Sequence, residues 1–360
     1  MKHTRRRTRG TSTLPLKSTL SIFSAAALAG AALVGCSSTT DSADPAGGAA
    51  SSDSANAADP ADIVATTNVW ADVASAVTGT DVDAIINDAS LDPHYFEPTA
   101  RDLARVKEAG TLVANGGHYD DTLYTVAEQD RIIHAVPLHF HGDHEHGDHD
   151  HVHGDHEHDH DGHDHGDHAH EGHDHGGHTF TTLPGSIDEL EHVWMSPAKV
   201  KNVAKQVEER VGGDAGSVEK RMGEIEQRLN AMPHVHIGMT ETIAAPLIWG
   251  TELHDITPEP YLLASLNHTE PPVQAVADFL EEIESGLIDF LVVNPQSTNG
   301  ATQRLVEAAK KNNVPIVEIR ETPPAGMNFL DYFEQVVDEI AAVVEKAEPR
   351  PEAEIDRFVG

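Results

Sequence analysis

A 40-residue tract between His139 and His178 consists almost entirely of histidine, acid and glycine. It holds 17 His, 12 Asp or Glu, 8 Gly and no Lys or Arg. Such a tract has almost no apolar surface to bury, so it cannot offset the entropy of ordering its own backbone. We therefore expect the tract to be disordered and the folded core to come from the chain on either side. Its imidazole and carboxylate groups are ligands for borderline metal ions.

The start of the chain predicts export. A basic beginning precedes a mainly apolar stretch of 15 residues, 20–34, which is too short to span a membrane and is typical of a signal peptide. Cys36, the only cysteine, follows a small residue at the end of this segment, as in a bacterial lipobox. We expect a lipoprotein signal peptide over 1–35, lipidation of Cys36, and a flexible Ser/Ala/Asp/Gly-rich tether over 36–60. The alternative is ordinary signal cleavage that leaves a free thiol.

Cysteine usage and charge exclude several classes of protein. A single cysteine rules out internal disulfides and thiolate metal sites. With 24 basic and 60 acidic residues, the formal net charge is −36. This balance argues against binding to nucleic acid or to an anionic membrane surface, and it suits a protein that handles cations. An acidic surface kept for solubility is compatible with the same charge.

Strand and helix signals alternate along the mature chain and predict an α/β protein. The predicted strands are 63–67, 82–86, 111–114, 131–136, 235–239, 290–293 and 316–319. The predicted helices are 69–77, 99–108, 121–128, 197–211, 217–232, 242–249, 273–285, 301–311 and 329–344. The fold class is therefore two βα lobes, a clamshell joined by a helix, in which ligands bind between the lobes at the carboxyl ends of strands.

The same pattern gives a predicted domain organisation. We expect an N-terminal α/β lobe, a connecting helix, a C-terminal α/β lobe and a tail, with the histidine tract inserted in the first lobe. The expected boundaries are 61–213 with the tract at 139–178, then 214–233, 234–347 and 348–360. About 285 residues of mature chain are enough for two lobes, each with a core.

Four positions outside the tract combine metal-ligating side chains with strand ends or helix starts. They are His94 after a strand, His192 just before a helix, and Glu241 and Glu321, each after a strand of the second lobe. Taken singly, such a histidine is commonly structural and such a glutamate commonly a helix N-terminal acid. All four nevertheless fall at the edges that should face the cleft. This convergence favours a binding site over four unrelated structural roles.

The motifs around these residues resemble a known family. The pattern is DPHYFEPTARDL, then ANGGHYDD, then EHVWMSP, with a His-rich acidic insertion ahead of the last. It is similar to that of the zinc- and manganese-binding lipoproteins of bacterial ABC importers, across residues 61–345. The resemblance implies a metal-receptor type of periplasmic binding fold, a Zn²⁺ cargo with Mn²⁺ as the alternative, and a metal buried between the lobes. It also implies an ABC permease and a separate ATPase subunit as partners of a monomeric, membrane-anchored receptor.

The resemblance further implies one metal ligand from each of four segments. His94 and His192 match the two histidine ligands of the first lobe, and Glu321 matches the acid after the last strand of the second lobe. The third ligand in most members is a histidine after the first strand of the second lobe, where this chain has Glu241 instead. The nearest substitutes or supporting residues are His118, His236 and His268. Two imidazoles with two carboxylates suit zinc, but the added carboxylate also suits manganese.

Two other classes of protein, a zinc metallohydrolase and a surface metal buffer or adhesin, share some of these features. The segment from His156 to His160 formally matches the HExxH pattern of zinc metallohydrolases, which requires a helix. Here the match lies in a glycine-punctuated polar tract, so composition explains it and we expect no enzyme. A surface metal buffer or adhesin would need the tract but not the four convergent residues. The chain also lacks a P-loop pattern, which is why the ATPase should be a separate subunit.

The tract itself is interpreted as an accessory to the closed site. Its charge would change from −12 to +5 if all 17 histidines were protonated, so it should release ions as pH falls. It offers many loose ligand arrangements and is expected to be a low-affinity collector or store. Its histidines are His139, His141, His144, His146, His149, His151, His153, His156, His158, His160, His163, His165, His168, His170, His173, His175 and His178.

Overall fold

A computed structural model describes residues 62–140 and 179–348. The predicted signal peptide, the predicted lipidation site Cys36, the tether, the tract beyond 140 and the tail after 348 lie outside the described residues. Within the described ranges, no helix is long and apolar enough to cross a membrane.

The first half of the described chain forms a four-stranded parallel sheet of order β2-β1-β3-β4. Its strands are β1 Ile63–Thr67, β2 Asp83–Ile86, β3 Thr111–Ala114 and β4 Ile132–His134, with helices α1 Asn68–Thr78, α2 Ala100–Glu108 and α3 Asp121–Tyr124. The strands are short apolar runs buried on both faces, as parallel strands covered by helices require. Thr99 and Asp102 form the predicted capping box at the start of α2.

The second half repeats this plan with a parallel sheet of order β6-β5-β7-β8. Its strands are β5 Val235–Met239, β6 Leu253–Asp255, β7 Phe290–Val293 and β8 Ile316–Glu318. The remaining helices are α4 Pro197–Val211, α5 Gly216–Asn230, α6 Ala245–Ile248, α7 Glu259–Leu266, α8 Val273–Glu284, α9 Gly300–Lys311 and α10 Phe329–Val344. The predicted α/β fold of two parallel-sheet lobes is thus confirmed, while the exact lobe boundaries stay predictions.

Some elements differ from the sequence-based expectation for local reasons. The helix expected over 242–249 is a 3-10 turn followed by the short α6, because Pro246 has no N–H and its ring crowds the preceding turn. Helix α3 ends at Tyr124, where the Thr125 hydroxyl and the Thr125 amide both donate to the Asp121 carbonyl, at 2.6 and 3.2 Å. Strand β6 and helix α7 were not predicted. Strand β6 has only three residues, and two of them are polar.

The two sheets share one hydrophobic core. A continuous cluster of buried residues joins Trp70 of α1, Met222 of α5 and Phe333 of α10 with residues of β1 and β5. Helix α10 contacts both α1 and α5 as well as β8, so the end of the chain packs back onto its first half. Smaller clusters cover the other faces of the two sheets. Shared packing of this kind holds the two sheets at a defined separation.

Polar contacts reinforce this packing at α10. The Asp72 carboxylate on α1 accepts a hydrogen bond from the Phe329 amide at 2.6 Å, at the first turn of α10. Arg221 on α5 forms ion pairs with Asp331 and Glu334 on α10, each at 2.7 Å. Both partners of Arg221 are partly exposed, so these pairs contribute little free energy and mainly fix the orientation of α10.

The shared core makes a stability prediction. Replacement of fully buried Met222 by Ala should lower the free energy of unfolding by about 2–5 kcal/mol, because transfer free energy is lost and a cavity is left. The exposed Gln227→Ala change on the same helix is the control and should stay within about 0.5 kcal/mol. Urea unfolding of the metal-free protein measures both values. If Met222→Ala lowered the free energy of unfolding no more than the control, the packing of α5 would not contribute to the stability of the shared core.

Candidate metal centre

His94 is held in a 3-10 turn that follows β2. Pro93 sits at the first position of the turn, and the Asp92 carboxylate caps it by accepting the His94 amide at 3.0 Å. The same Asp92 oxygen lies 2.9 Å from Nδ1 of the His94 ring. One short segment therefore fixes both the backbone and the ring orientation of His94, as carboxylates behind ligating histidines commonly do.

His192 enters from the segment that precedes α4. The side-chain amide of Asn115 donates to the carbonyl of Glu191 at 2.8 Å, which anchors the backbone next to His192. The His192 ring is 1% exposed and packs edge-on against Trp194, with ring centroids 5.3 Å apart. Tyr119 packs on the same Trp194 ring at 4.6 Å, and its ring centroid is 6.2 Å from that of His192. Aromatic walls exclude water from this side of the site.

Glu241 and Glu321 follow β5 and β8, and Asn294 follows β7 between them. Because the strands are parallel, their carboxyl ends meet at one edge of the sheet, which brings the three side chains together. The Asn294 amide nitrogen donates to Glu241 Oε2 at 2.9 Å and to Glu321 Oε1 at 3.0 Å. The Tyr119 hydroxyl donates to Glu321 Oε2 at 3.1 Å. Neither carboxylate is free to swing away.

The structure brings His94, His192, Glu241 and Glu321 into one buried cluster. Each offers one ligand atom, and these four atoms lie within 4.8 Å of one another. His192 Nε2 is 3.1 Å from Glu241 Oε1 and 3.0 Å from Glu321 Oε1. Zinc bonds of about 2.0–2.1 Å in a tetrahedron place neighbouring ligand atoms about 3.3 Å apart, which is close to the two His192 separations. His94 lies farther out, with Nδ1 4.0 Å from Glu321 Oε1. The cluster has the donor types and the spacing of a metal site.

The electrostatics of the cluster are those of buried acids facing imidazoles. Burial lowers the pKa of His192, but Glu321 and Glu241 outweigh it and raise this pKa to about 10. Burial likewise opposes the proton on His94, while Glu321, Asp92 and Glu191 raise its pKa well above the ordinary value. The pKa of Glu241 is raised by burial and lowered more strongly by His192 and His94, to about 2. Burial dominates at Glu321, whose pKa is raised.

The three histidines expected as substitute or supporting ligands, His118, His236 and His268, lie in different places. His268 Nε2 is 3.0 Å from Glu191 Oε2, which is in turn 3.3 Å from His94 Nε2, so His268 lies on the rim of the cluster. His118 pairs with Asp121 at 3.4 Å, stacks on His139 and does not belong to the cluster. His236 lies within β5, before the strand reaches the cluster, with Nδ1 3.2 Å from the Leu287 carbonyl.

Several contributors were missed by sequence reasoning. Glu191 stands directly before His192 in the EHVW motif, and it contacts both His94 and His268. Tyr119 lies in the quoted ANGGHYDD segment, and Asn294 follows an apolar strand. Their positions beside predicted ligands or strand ends were visible signals. What they contact depends on how the two lobes pack.

Fold and site together define a two-lobed metal-binding receptor with a buried site between two parallel sheets. Residues 63–343 match the family described as ZnuA, zinc-uptake complex component A, periplasmic, and the chain belongs to that family. The resemblance seen in the sequence motifs is thereby confirmed. No curated protein matches the sequence.

Solved structures show the same fold at low sequence identity. Similar structures include ZnuA, with TM-score 0.52, 14% identity and coverage of 78% of this chain and 98% of that one. FpvC from Pseudomonas aeruginosa in complex with Mn²⁺ gives TM-score 0.51, 12% identity and coverage of 79% and 98%. Zn(II)-bound AdcA from Streptococcus pneumoniae gives TM-score 0.50, 16% identity and coverage of 81% and 60%, so this chain spans only part of that protein.

The raised histidine pKa values predict proton release on metal binding. An imidazole must lose its proton before it binds a metal ion, and His192 with a pKa of about 10 still carries one at pH 7.5. With His94 also protonated, the first equivalent of Zn²⁺ should release about two protons and bind more tightly as pH rises from 6.5 to 9. An ordinary imidazole pKa would confine this dependence to pH values below about 6.5.

Calorimetry in buffers of different ionisation enthalpy measures the protons released by the first equivalent. A His192→Gln variant should release about one proton fewer, since its amide does not titrate. Proton release near zero at pH 7.5 would contradict the pairing of these imidazoles with Glu241 and Glu321.

Proposed function

We propose that this protein is an extracytoplasmic receptor that captures Zn²⁺ between its two lobes and delivers it to an ABC permease. The observation that carries the proposal is the buried cluster of His94, His192, Glu241 and Glu321, contributed by four segments of both lobes. Family membership supports the same role. The cargo enters a preformed set of ligands, and the permease with a separate ATPase subunit then extracts it.

The hydrogen bonds around the carboxylates support zinc over manganese. Glu241 Oε1 faces His192 while its Oε2 accepts from Asn294, and Glu321 Oε2 accepts from Tyr119. Glu241 therefore has one oxygen directed at the imidazole and one held by Asn294. Both Glu321 oxygens accept a hydrogen bond, but only Oε1 faces His192, so each carboxylate is arranged to bind through a single oxygen. Four single ligand atoms suit tetrahedral zinc, whereas manganese prefers six mainly oxygen ligands.

The remaining parts of the proposal concern placement and chemistry. Anchoring through a lipid on Cys36 would keep a monomeric receptor beside its permease on the outer face of the membrane. A binding role without catalysis fits a closed site, because a catalytic zinc needs an open coordination position. A pure metal buffer would have no need for a buried four-segment cluster.

Substitution of one histidine inside the cluster and one outside it tests whether the tight site lies in the cleft. Changing His192 to Ala should weaken the tightest Zn²⁺ site by more than about 100-fold, because removal of a direct ligand exceeds the 10–100-fold typical of outer partners. The matched control is His118→Ala, which should leave that site within about 2-fold, since His118 does not belong to the cluster. Competition with a chromophoric chelator on the full chain measures the tightest site. Equal effects of the two substitutions would refute the assignment.

The Glu241 position tests the choice of ion. Changing Glu241 to His replaces a carboxylate by an imidazole, which suits zinc better than manganese. The ratio of Zn²⁺ to Mn²⁺ affinity should rise by about tenfold, equivalent to about 1.4 kcal/mol. Exposed Glu284→His is the control and should leave the ratio unchanged. Competition titrations with both ions give the ratio, and an unchanged value in Glu241→His would show that residue 241 does not contact the ion.

A further inference from the structure

A second group of metal-ligating side chains lies at the opposite end of the second sheet. The segments are His234-Val235-His236, at the start of β5, and Glu252-Leu253-His254, at the start of β6. The two strands are parallel, with Val235 opposite Leu253 and His236 opposite His254. Because side chains alternate along a strand, His234, His236, Glu252 and His254 share one face, while Val235 and Leu253 enter the core on the other.

Three side chains of this group, which we call the second array, are close enough to share an ion. One ligand atom from each of His234, Glu252 and His254 lies within 4.8 Å of the others. The rings of His234 and His254 have centroids 4.1 Å apart, and His234 Nδ1 is 3.4 Å from Glu252 Oε2. Two imidazoles and one carboxylate form a donor set that suits zinc.

His234 is the least exposed member, and its surroundings favour a ligand role. Its side chain is 9% exposed, Nδ1 has the 3.4 Å contact with Glu252 but no well-formed hydrogen bond, and Nε2 has no hydrogen-bond partner among the described residues. Leaving a buried polar group without a hydrogen bond costs about 1–3 kcal/mol. A purely structural residue at this place could be apolar without that cost, whereas a bound ion would satisfy the ring.

His236 is the nearest further imidazole. Its ring centroid lies 5.4 Å from that of His234, and its Nδ1 is 3.2 Å from the Leu287 carbonyl. A carbonyl only accepts hydrogen bonds, so Nδ1 carries the proton and the lone pair of the neutral ring is on Nε2. Ligating histidines commonly donate their other nitrogen to a backbone carbonyl in this way.

We infer that His234, Glu252 and His254 form a second binding site for a borderline divalent cation such as Zn²⁺, separate from the cleft. Glu241 is seven positions after His234 along an extended chain, which is about 23 Å at 3.3 Å per residue. The second site thus lies at the amino ends of the strands, whereas the cleft lies at their carboxyl ends. It rests on its own geometry and does not depend on the proposed transport function.

An ion at this place would join β6 to β5. Strand β6 is a three-residue edge strand, and Asp255 and Thr257 at its end hold the Met239 amide near the cleft through a 2.8 Å bond to the Thr257 hydroxyl. The Glu252 side chain is 55% exposed, so ions reach the site from solvent. With three ligands and partial exposure, this site should bind more weakly than the closed cleft.

Anomalous X-ray diffraction of the full chain crystallised with Zn²⁺ tests the location. The expected result is a zinc peak about 2.0–2.2 Å from ligand atoms of His234, Glu252 and His254, in addition to any peak in the cleft. Crystals with zinc in the cleft and no anomalous peak at the second array would overturn the inference. The cleft peak alone reports on the proposed function, so the two failures are distinguishable.

Chemical footprinting tests the same site in solution. Diethylpyrocarbonate modification of His254, followed peptide by peptide, should slow as Zn²⁺ is added, with His134 as an unaffected reference. Glu252→Gln should raise the zinc concentration for half-protection of His254 at least tenfold, while the control Glu284→Gln leaves it unchanged. The affinity of the tight site, measured by chelator competition, should be the same in both variants. An unchanged affinity also shows that both variants are folded. If the zinc concentration for half-protection of His254 were the same with and without the Glu252→Gln change, the proposed site would be refuted.

Discussion

The need to neutralise two buried carboxylates governs this structure. Glu241 and Glu321 are almost fully buried and accept hydrogen bonds from the same Asn294 amide, which holds them next to each other. Two neighbouring negative charges in a low-dielectric interior repel strongly and must be matched by positive charge. In the metal-free protein His192, whose pKa is raised to about 10, supplies one such charge, and His94 supplies another. A divalent ion can replace both protons.

The fold makes this arrangement possible by joining the two lobes through more than the site itself. The Gln296 amide nitrogen donates to the Leu91 carbonyl at 2.9 Å, and its oxygen accepts from the Glu321 amide at 2.9 Å. The Thr322 hydroxyl reaches the Ala89 carbonyl at 3.2 Å. These bonds tie the segment that carries Glu321 to the loop that leads to His94. Together with the shared core, they set the ligand distances before any ion arrives.

Sequence alone was sufficient for most of the fold and for the four cluster residues, because strand ends in parallel sheets are predictable meeting points. Burial on both faces made β1, β3, β5 and β7 readable as short apolar runs. Strand β6 was not predicted because it has only three residues and two of them, His254 and Asp255, are polar. His254 belongs to the second candidate site. Glu191 and Asn294 were missed since their roles come from contacts across long sequence separations. Contacts between residues far apart in the chain produce no periodic pattern in the sequence.

Charge counting explains why such a cluster prefers dications. Two protonated imidazoles carry the same charge as two neutral imidazoles with a divalent ion, so both states balance the surrounding carboxylates equally. Exchange of two protons for one dication therefore leaves the charge of the interior unchanged, whereas a monovalent ion would leave one more negative charge uncompensated. Because the His192 pKa is raised above its unfolded value, the stability this proton contributes is complete below about pH 6.5 and is lost as pH rises toward 10. Over that range the metal-free state becomes less stable while metal binding strengthens, so the ion takes over the structural role of the protons.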